Sequence, residues 1–243
     1  MIPNPIRKVL SIFQSCEVRA LLMGGQACVF YGAAEFSRDT DFAILAEQEN
    51  LERLLRAMSL LDAEVIAVPP FDMLHLERGH AVHFRCHHAE ADGMRVDVMA
   101  RMRGVAGFAV LWQRRTTIED MDGSVYELMS LPDLVQAKKT QRDKDWPMIR
   151  RLMEAHFIAH EHDTNPERIS FWMMESRTPE LIADLRARFP NEARQAAAAR
   201  PLVLLEDSGV LEAALREEEQ REREADRLYW EPLKRELEAM RRK

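Results

Sequence analysis

Met23-Gly24-Gly25 and, after a helix's length of chain, Ser37-Arg38-Asp39-Thr40-Asp41-Phe42-Ala43-Ile44 decide how this sequence is read. Arg19 to Met23 is a short apolar run stopped by two glycines, as a buried strand would be. Gln26 to Ala34 then resumes with Ala27, Phe30 and Tyr31 at helical spacing. Thr40 to Ala46 is the next expected strand. In an extended chain, residues two apart share a face, so Asp39 and Asp41 project together while Thr40 and Phe42 point the other way. Two carboxylates side by side repel unless a cation lies between them. Hard oxygen donors of this kind favour Mg²⁺ or Mn²⁺ over zinc. The glycines suit the other half of such a site, because without a Cβ they let a phosphate approach the backbone next to a helix start.

Working outward, Asn50 to Leu61 is expected to be a helix, with Leu51, Leu54, Leu55 and Met58 on one face, and Glu64 to Val68 a strand closed by Pro69-Pro70. Ala81 to Cys86 and Met94 to Ala100 follow as strands joined by Asp92-Gly93 turn chemistry. Asp97 is the lone acid in the second of these, and an unpaired acid in an apolar strand is costly to bury. It therefore wants a partner and supplies a third carboxylate. Val110 to Ile118 and Val125 to Met129 are weaker strand expectations, and Pro5 to Ser15 an opening helix. Leu131 to His156 is expected as one long helix with Pro132 in its first turn. Glu180 to Arg188 is another helix, ended by Pro190, and Pro232 should kink or interrupt the charged tail that runs from Leu211. Its sparse leucines would pack on the body or on a second subunit.

Strands mixed with helices, then helices alone, predict an α+β chain with a mixed sheet. The sheet domain is expected over 1–130 and a helical region over 131–243, its part 131–156 packing on the sheet domain.

Gly24-Gly25, Asp39-x-Asp41 followed by an apolar residue, and Asp97 on a later strand resemble the nucleotidyltransferase superfamily, which includes polymerase-beta-like enzymes. Ala137-Lys138-Lys139-Thr140-Gln141-Arg142-Asp143-Lys144-Asp145 is similar to a helix that follows the catalytic sheet in a small bacterial branch containing abortive-infection toxins. The two likenesses cover roughly 18–156. Gln26 and Thr40 stand where many members carry a small residue and an aliphatic one. The resemblance implies an Mg²⁺- or Mn²⁺-dependent transfer of a nucleoside monophosphate from a triphosphate such as ATP, with Asp39, Asp41 and Asp97 as catalytic metal ligands. It further implies two metal ions, the first two acids shared between them and Asp97 on the acceptor side. Gly24, Gly25, Arg38, Lys138, Arg142 and Lys144 would meet nucleotide or phosphate. Lys138, Arg142 and Asp145 would share one helix face at i, i+4 and i+7. The acceptor is an RNA or tRNA end, a protein hydroxyl or a small molecule. A toxin or defence role, with a protein partner or antitoxin, follows from the branch alone. A nucleotidyltransferase fold that has lost catalysis and binds a partner protein is the alternative.

Composition sets the outer bounds. The chain has 243 residues, 31% charged, with a formal net charge of −7, which does not advertise a general nucleic-acid binder. Its three cysteines show no paired spacing, so a secreted disulfide framework is not expected. The opening Met-Ile-Pro-Asn-Pro does not read as a secretory signal, and no stretch approaches the roughly 20 apolar residues of a membrane span. A cytoplasmic protein is expected. His75, His80, His83, Cys86, His87 and His88 fit no standard zinc spacing and read as structural or exposed, with a zinc hydrolase as a third, weaker reading.

Overall fold

A computed structural model describes residues 4–37, 39–120 and 123–242. The chain is α+β and forms two units. The first comprises Met1–Phe30, Glu35–Ala137 and Tyr229–Lys243; the second comprises Tyr31–Ala34 and Lys138–Leu228. The boundary thus follows Ala137 rather than 130, and the last stretch of the chain returns to the first unit.

The first unit is built on seven strands: β1 (Ala20–Met23), β2 (Asp39–Ile44), β3 (Ala63–Val65), β4 (Val82–Cys86), β5 (Arg95–Met99), β6 (Thr116–Glu119) and β7 (Val125–Leu128). They lie in the order β3-β4-β5-β2-β1-β7-β6, so β2 is the middle strand. β2 runs antiparallel to β1 and parallel to β5, with Asp41 opposite Met23 on one side and opposite Asp97 on the other. The alternation expected from the sequence is present: Thr40 and Phe42 are buried, whereas Asp39 and Asp41 are half-buried. Val96 and Val98 repeat the pattern on β5, as do Val82, Phe84 and Cys86 on β4. Helix α1 (Asn4–Ser15) sets Phe13 against Phe42, ring centroids 4.5 Å apart, so it covers the face turned away from the acids.

Helix α2 (Gly24–Phe30) begins on the glycines themselves and ends earlier than its periodicity suggests. Helix α3 (Gln48–Leu60) buries Leu51, Leu54, Ala57 and Met58, a spacing that lines one face. Helix α4 (Met73–Arg78) does not announce itself by periodicity. It is made by its ends: the Asp72 carboxylate accepts from the Leu74 N–H at 2.8 Å, and Gly79 closes it at φ +101°. Of the strand expected over Val110 to Ile118 only the end is strand, in β6; Phe108–Arg114 is helix α5, which buries Phe108 and Leu111 and stacks Phe108 on Trp112, contacts that need helical rather than strand spacing.

The long helix expected over 131–156 is two helices, α6 (Leu131–Ala137) in the first unit and α7 (Asp145–Ala159) in the second. Pro147 explains the break. Inside a continuous helix its ring would meet the carbonyl of residue 143, whereas in the first turn of a restarted helix it costs little.

The second unit continues with α8 (Pro166–Glu175), α9 (Pro179–Arg188) and α10 (Pro190–Ala196), each with proline in its first turn. Trp146, Ile149, Leu152, Met153, Trp172 and Met173 form its core, all nearly inaccessible to solvent. Helix α11 (Ser208–Arg241) continues through Pro232, so of the kink or interruption expected there the interruption does not occur. Beyond Tyr229 it belongs to the sheet unit, where Leu233 is buried and Glu236 takes His80 Nε2 at 2.7 Å and Arg78. These contacts hold the turn around the proline despite its missing N–H. Among the described residues, no helix is long and apolar enough to cross a membrane. All three cysteines are free thiols.

Candidate active site

Three neighbouring strands bring six side chains to one face in two rows. Arg85, Arg95 and Asp39 are register partners in the first row, across β4, β5 and β2. His83, Asp97 and Asp41 are partners in the second. Partners across a ladder share a face and lie roughly 4.5–5.5 Å apart at Cβ. The three acids picked out in the sequence are therefore gathered by pairing between β2 and β5, from positions far apart in the chain.

The glycine pair has a concrete reason to be glycine. Gly24 sits at φ +66°, a left-handed conformation that side-chain-bearing residues avoid, and a Cβ there would overlap the Asp41 carboxylate at Oδ2. A Cβ on Gly25 would come within 2.6 Å of Ser37 Oγ. The Asp41 side chain thus lies directly over the backbone at the start of α2. Next along, Gln26 is fully buried, and neither its amide nitrogen nor its amide oxygen has a hydrogen-bond partner.

Asp97 leans towards cations rather than towards the other acids. Its Oδ1 accepts from Arg95 Nε at 2.8 Å and lies 2.8 Å from His83 Nδ1. Arg95 Nη2 is 3.0 Å from the same imidazole nitrogen. That nitrogen serves one neighbour at a time: protonated, it donates to Asp97; bare, it accepts from Arg95. Burial pushes the Asp97 carboxyl up, but the hydrogen bonds from His83 and Arg95 outweigh it and hold the group below the ordinary aspartate value. Arg95 is raised in turn, first by its bond to Asp97 and further by the charges of Asp97, Asp39 and Asp41, against the opposing effect of its own burial. Its guanidinium feels all three acids. Among the described residues no group of three acidic, histidine or cysteine side chains is placed to hold a metal ion.

The donor types on this face are nevertheless those that a divalent cation prefers. Three carboxylates from adjacent strands are hard oxygen ligands, and the space that a side chain at Gly24 would need is taken by the Asp41 carboxylate.

The remaining sequence candidates are placed as follows. Arg38 lies outside the described residues. Lys138 to Lys144 form the turn between α6 and α7, so Lys138, Arg142 and Asp145 do not share a helix face. They meet all the same at Asp145, whose carboxylate takes Lys138 Nζ at 3.3 Å, Arg142 Nε at 2.8 Å and the Thr140 hydroxyl at 2.6 Å. Lys138 is buried there, while Lys144 is exposed at the N-cap of α7. The histidines are dispersed: His80 on Glu236, His83 on Asp97, and His87 3.3 Å from Glu64.

Sequence reading missed His83 and Arg95 as parts of the site. Arg95 was accessible to it, standing two residues before Asp97 and hence on the same face. A cavity of about 610 Å³ in the same unit lies at the opposite end of β1, where Arg19, Asn50, Trp112 and Tyr126 line it.

No family model matches the chain, and no curated protein does. Among solved structures, the chain is similar to the crystal structure of ANT(2")-Ia in complex with adenylyl-2"-tobramycin, with TM-score 0.35 and 12% identity over 88% of this chain and 95% of that one. That likeness is too distant to assign an activity.

Proposed function

We propose that the chain is a metal-dependent nucleotidyltransferase that moves a nucleoside monophosphate from a nucleoside triphosphate to an acceptor hydroxyl. The observation that carries this reading is the register Asp41↔Asp97 between parallel β2 and β5, which sets three carboxylates on one sheet face beside Gly24. Asp39 and Asp41 would hold Mg²⁺ or Mn²⁺, with Asp97 on the acceptor side. When bound, the ion supplies charge stabilisation to the phosphate oxygens and to the leaving pyrophosphate. The residues of the chain do the rest. Gly24 and Gly25, whose missing side chains give their space to Asp41 and Ser37, would present their backbone to phosphate at the start of α2. Asp97, held in place by Arg95 and His83, orients the acceptor hydroxyl. Its oxygen bonds to the α-phosphorus as the α–β bridging bond breaks, and the hydroxyl proton leaves by way of Asp97 to water. Arg142 and Lys144 keep exposed cationic ends and are proposed to bind phosphate; Lys138 acts through Asp145.

The acceptor is proposed to be an RNA or tRNA end, a protein hydroxyl or a small molecule. The sequence resemblance extends the proposal to a cytoplasmic toxin or defence component with an antitoxin partner. The test is incubation of the protein with each α-³²P nucleoside triphosphate, Mg²⁺ and total cell RNA or protein. Label should appear in one fraction with wild type and fall roughly a thousandfold with Asp41→Asn, the scale of several kcal/mol of lost charge stabilisation. Equal labelling by the variant would remove the proposal. Nucleotide binding without any labelling would leave the catalytically inactive binding module in its place.

A further inference from the structure

The two rows on the sheet face carry a charge gradient. Arg85 and His83 stand on β4, acids stand on β2, and β5 between them holds Arg95 and Asp97. Arg95 has a like charge on one flank, Arg85, and an acid on the other, Asp39. Like charges directly opposite are unfavourable, and opposite charges favourable. The arginine accordingly engages Asp97, at 2.8 Å, within the field of Asp39 and Asp41. The Asp97 side chain is 14% exposed and that of Arg95 38%, so their bond is shielded more than a surface pair is.

We propose that Arg95 supplies the second positive charge of this site, so that the face takes up one divalent ion, on Asp39 and Asp41, and not two. The inference rests on the metal-dependent reading above and refines it. Three ionised carboxylates carry three negative charges. Arg85 is also the register partner of Glu64 on β3, which sets an acid against its charge; Arg95 and one divalent ion then carry three positive charges, and Arg95 and two ions would carry five. Asp97 is paired with the Arg95 guanidinium at 2.8 Å, the geometry of a carboxylate meeting a cation. Its Oδ1 already accepts from the guanidinium, so an ion bound there would have to displace a charge-assisted hydrogen bond. A fixed guanidinium beside Asp97 does the electrostatic work of an acceptor-side cation, and unlike an ion it does not dissociate.

The test counts Mn²⁺ bound by the purified protein without nucleotide, by equilibrium dialysis and by the Mn²⁺ resonance signal, and compares four proteins. Wild type is expected to bind one ion. Arg95→Gln should bind two, the second at the released Asp97. Arg95→Lys, which keeps the charge, should stay at one, and Asp41→Asn should bind none. Circular dichroism melts show which variants are folded, and the lysine variant gives an answer if the glutamine variant does not fold. Two ions in wild type or in Arg95→Lys overturn the inference while leaving the metal site standing. One ion in both wild type and Arg95→Gln also overturns it, because Arg95 would then not be what excludes the second. No Mn²⁺ on any of the four removes the metal reading and the inference with it.

Discussion

Asp97 on the sheet and Asp145 at the start of α7 are both aspartates that accept from an arginine Nε at 2.8 Å, yet their surroundings differ. Asp145 is 3% exposed and meets Lys138, Thr140 and Arg142, so one carboxylate faces two cations and a hydroxyl. Burial pushes its carboxyl up, and Lys138, Thr140 and Arg142 pull it below the ordinary value. Asp97 shares Arg95 with two further acids. A carboxylate with donors to spare locks a turn and offers nothing outward. Three carboxylates around one guanidinium retain negative charge and accessible oxygen, which is what an incoming cation requires.

The comparison is sharpest when one acid of each cluster is neutralised. Asp41→Asn should remove transfer, as set out above, while moving the melting temperature by only a few degrees. Asp145→Ala should do the reverse in kind: it leaves Lys138 buried without its acid, and the second unit should lose about 3–5 kcal/mol, the cost of breaking a buried pair from one side. Denaturant melts of the two variants, read beside transfer assays, test this; a stable Asp145→Ala protein would mean that the two clusters are not different in kind.

Gly24→Ala comes next in size. It combines a left-handed backbone with a Cβ placed on the Asp41 carboxylate, so it should cost roughly 1–2 kcal/mol for the backbone and reduce transfer at least tenfold by moving Asp41. A variant with wild-type melting and wild-type transfer would show that the close approach of Gly24 to Asp41 does not position the acid.

The smallest effect is in the acid dependence of Asp145→Asn. The folded-state pKa of Asp145 lies below its unfolded value, so its stabilisation is complete above the unfolded value of about 3.9. It is lost as pH falls through the lower folded value. The stability gap between wild type and Asp145→Asn should therefore be constant near neutrality and shrink only below about pH 4. A gap that closes at higher pH would contradict the pairing.

Much of this was legible in the sequence because strand alternation is a strict period of two. Asp39 with Asp41, and Phe42 turned to the far side, follow from it directly, and Asp92-Gly93 marked the hairpin that returns β5 to the sheet. The pairing of His83 with Asp97 was hidden, since the loop from His87 to Met94 is too long for the turn to fix the register. The α6–α7 break was written in Pro147 but masked by helical periodicity on both sides. Helix α4 was hidden for the opposite reason: its signal is the pair Asp72 and Gly79 at its ends, with little apolar pattern between them.

The middle position of β2 carries a consequence for durability. A strand laddered on both flanks exchanges its amide protons only when the surrounding sheet opens as a whole. Asp39 and Asp41 ride on that slowest-opening segment. Their spacing should then outlast the fraying of edges and termini, and mild denaturant should spare the acidic face until the sheet itself gives way.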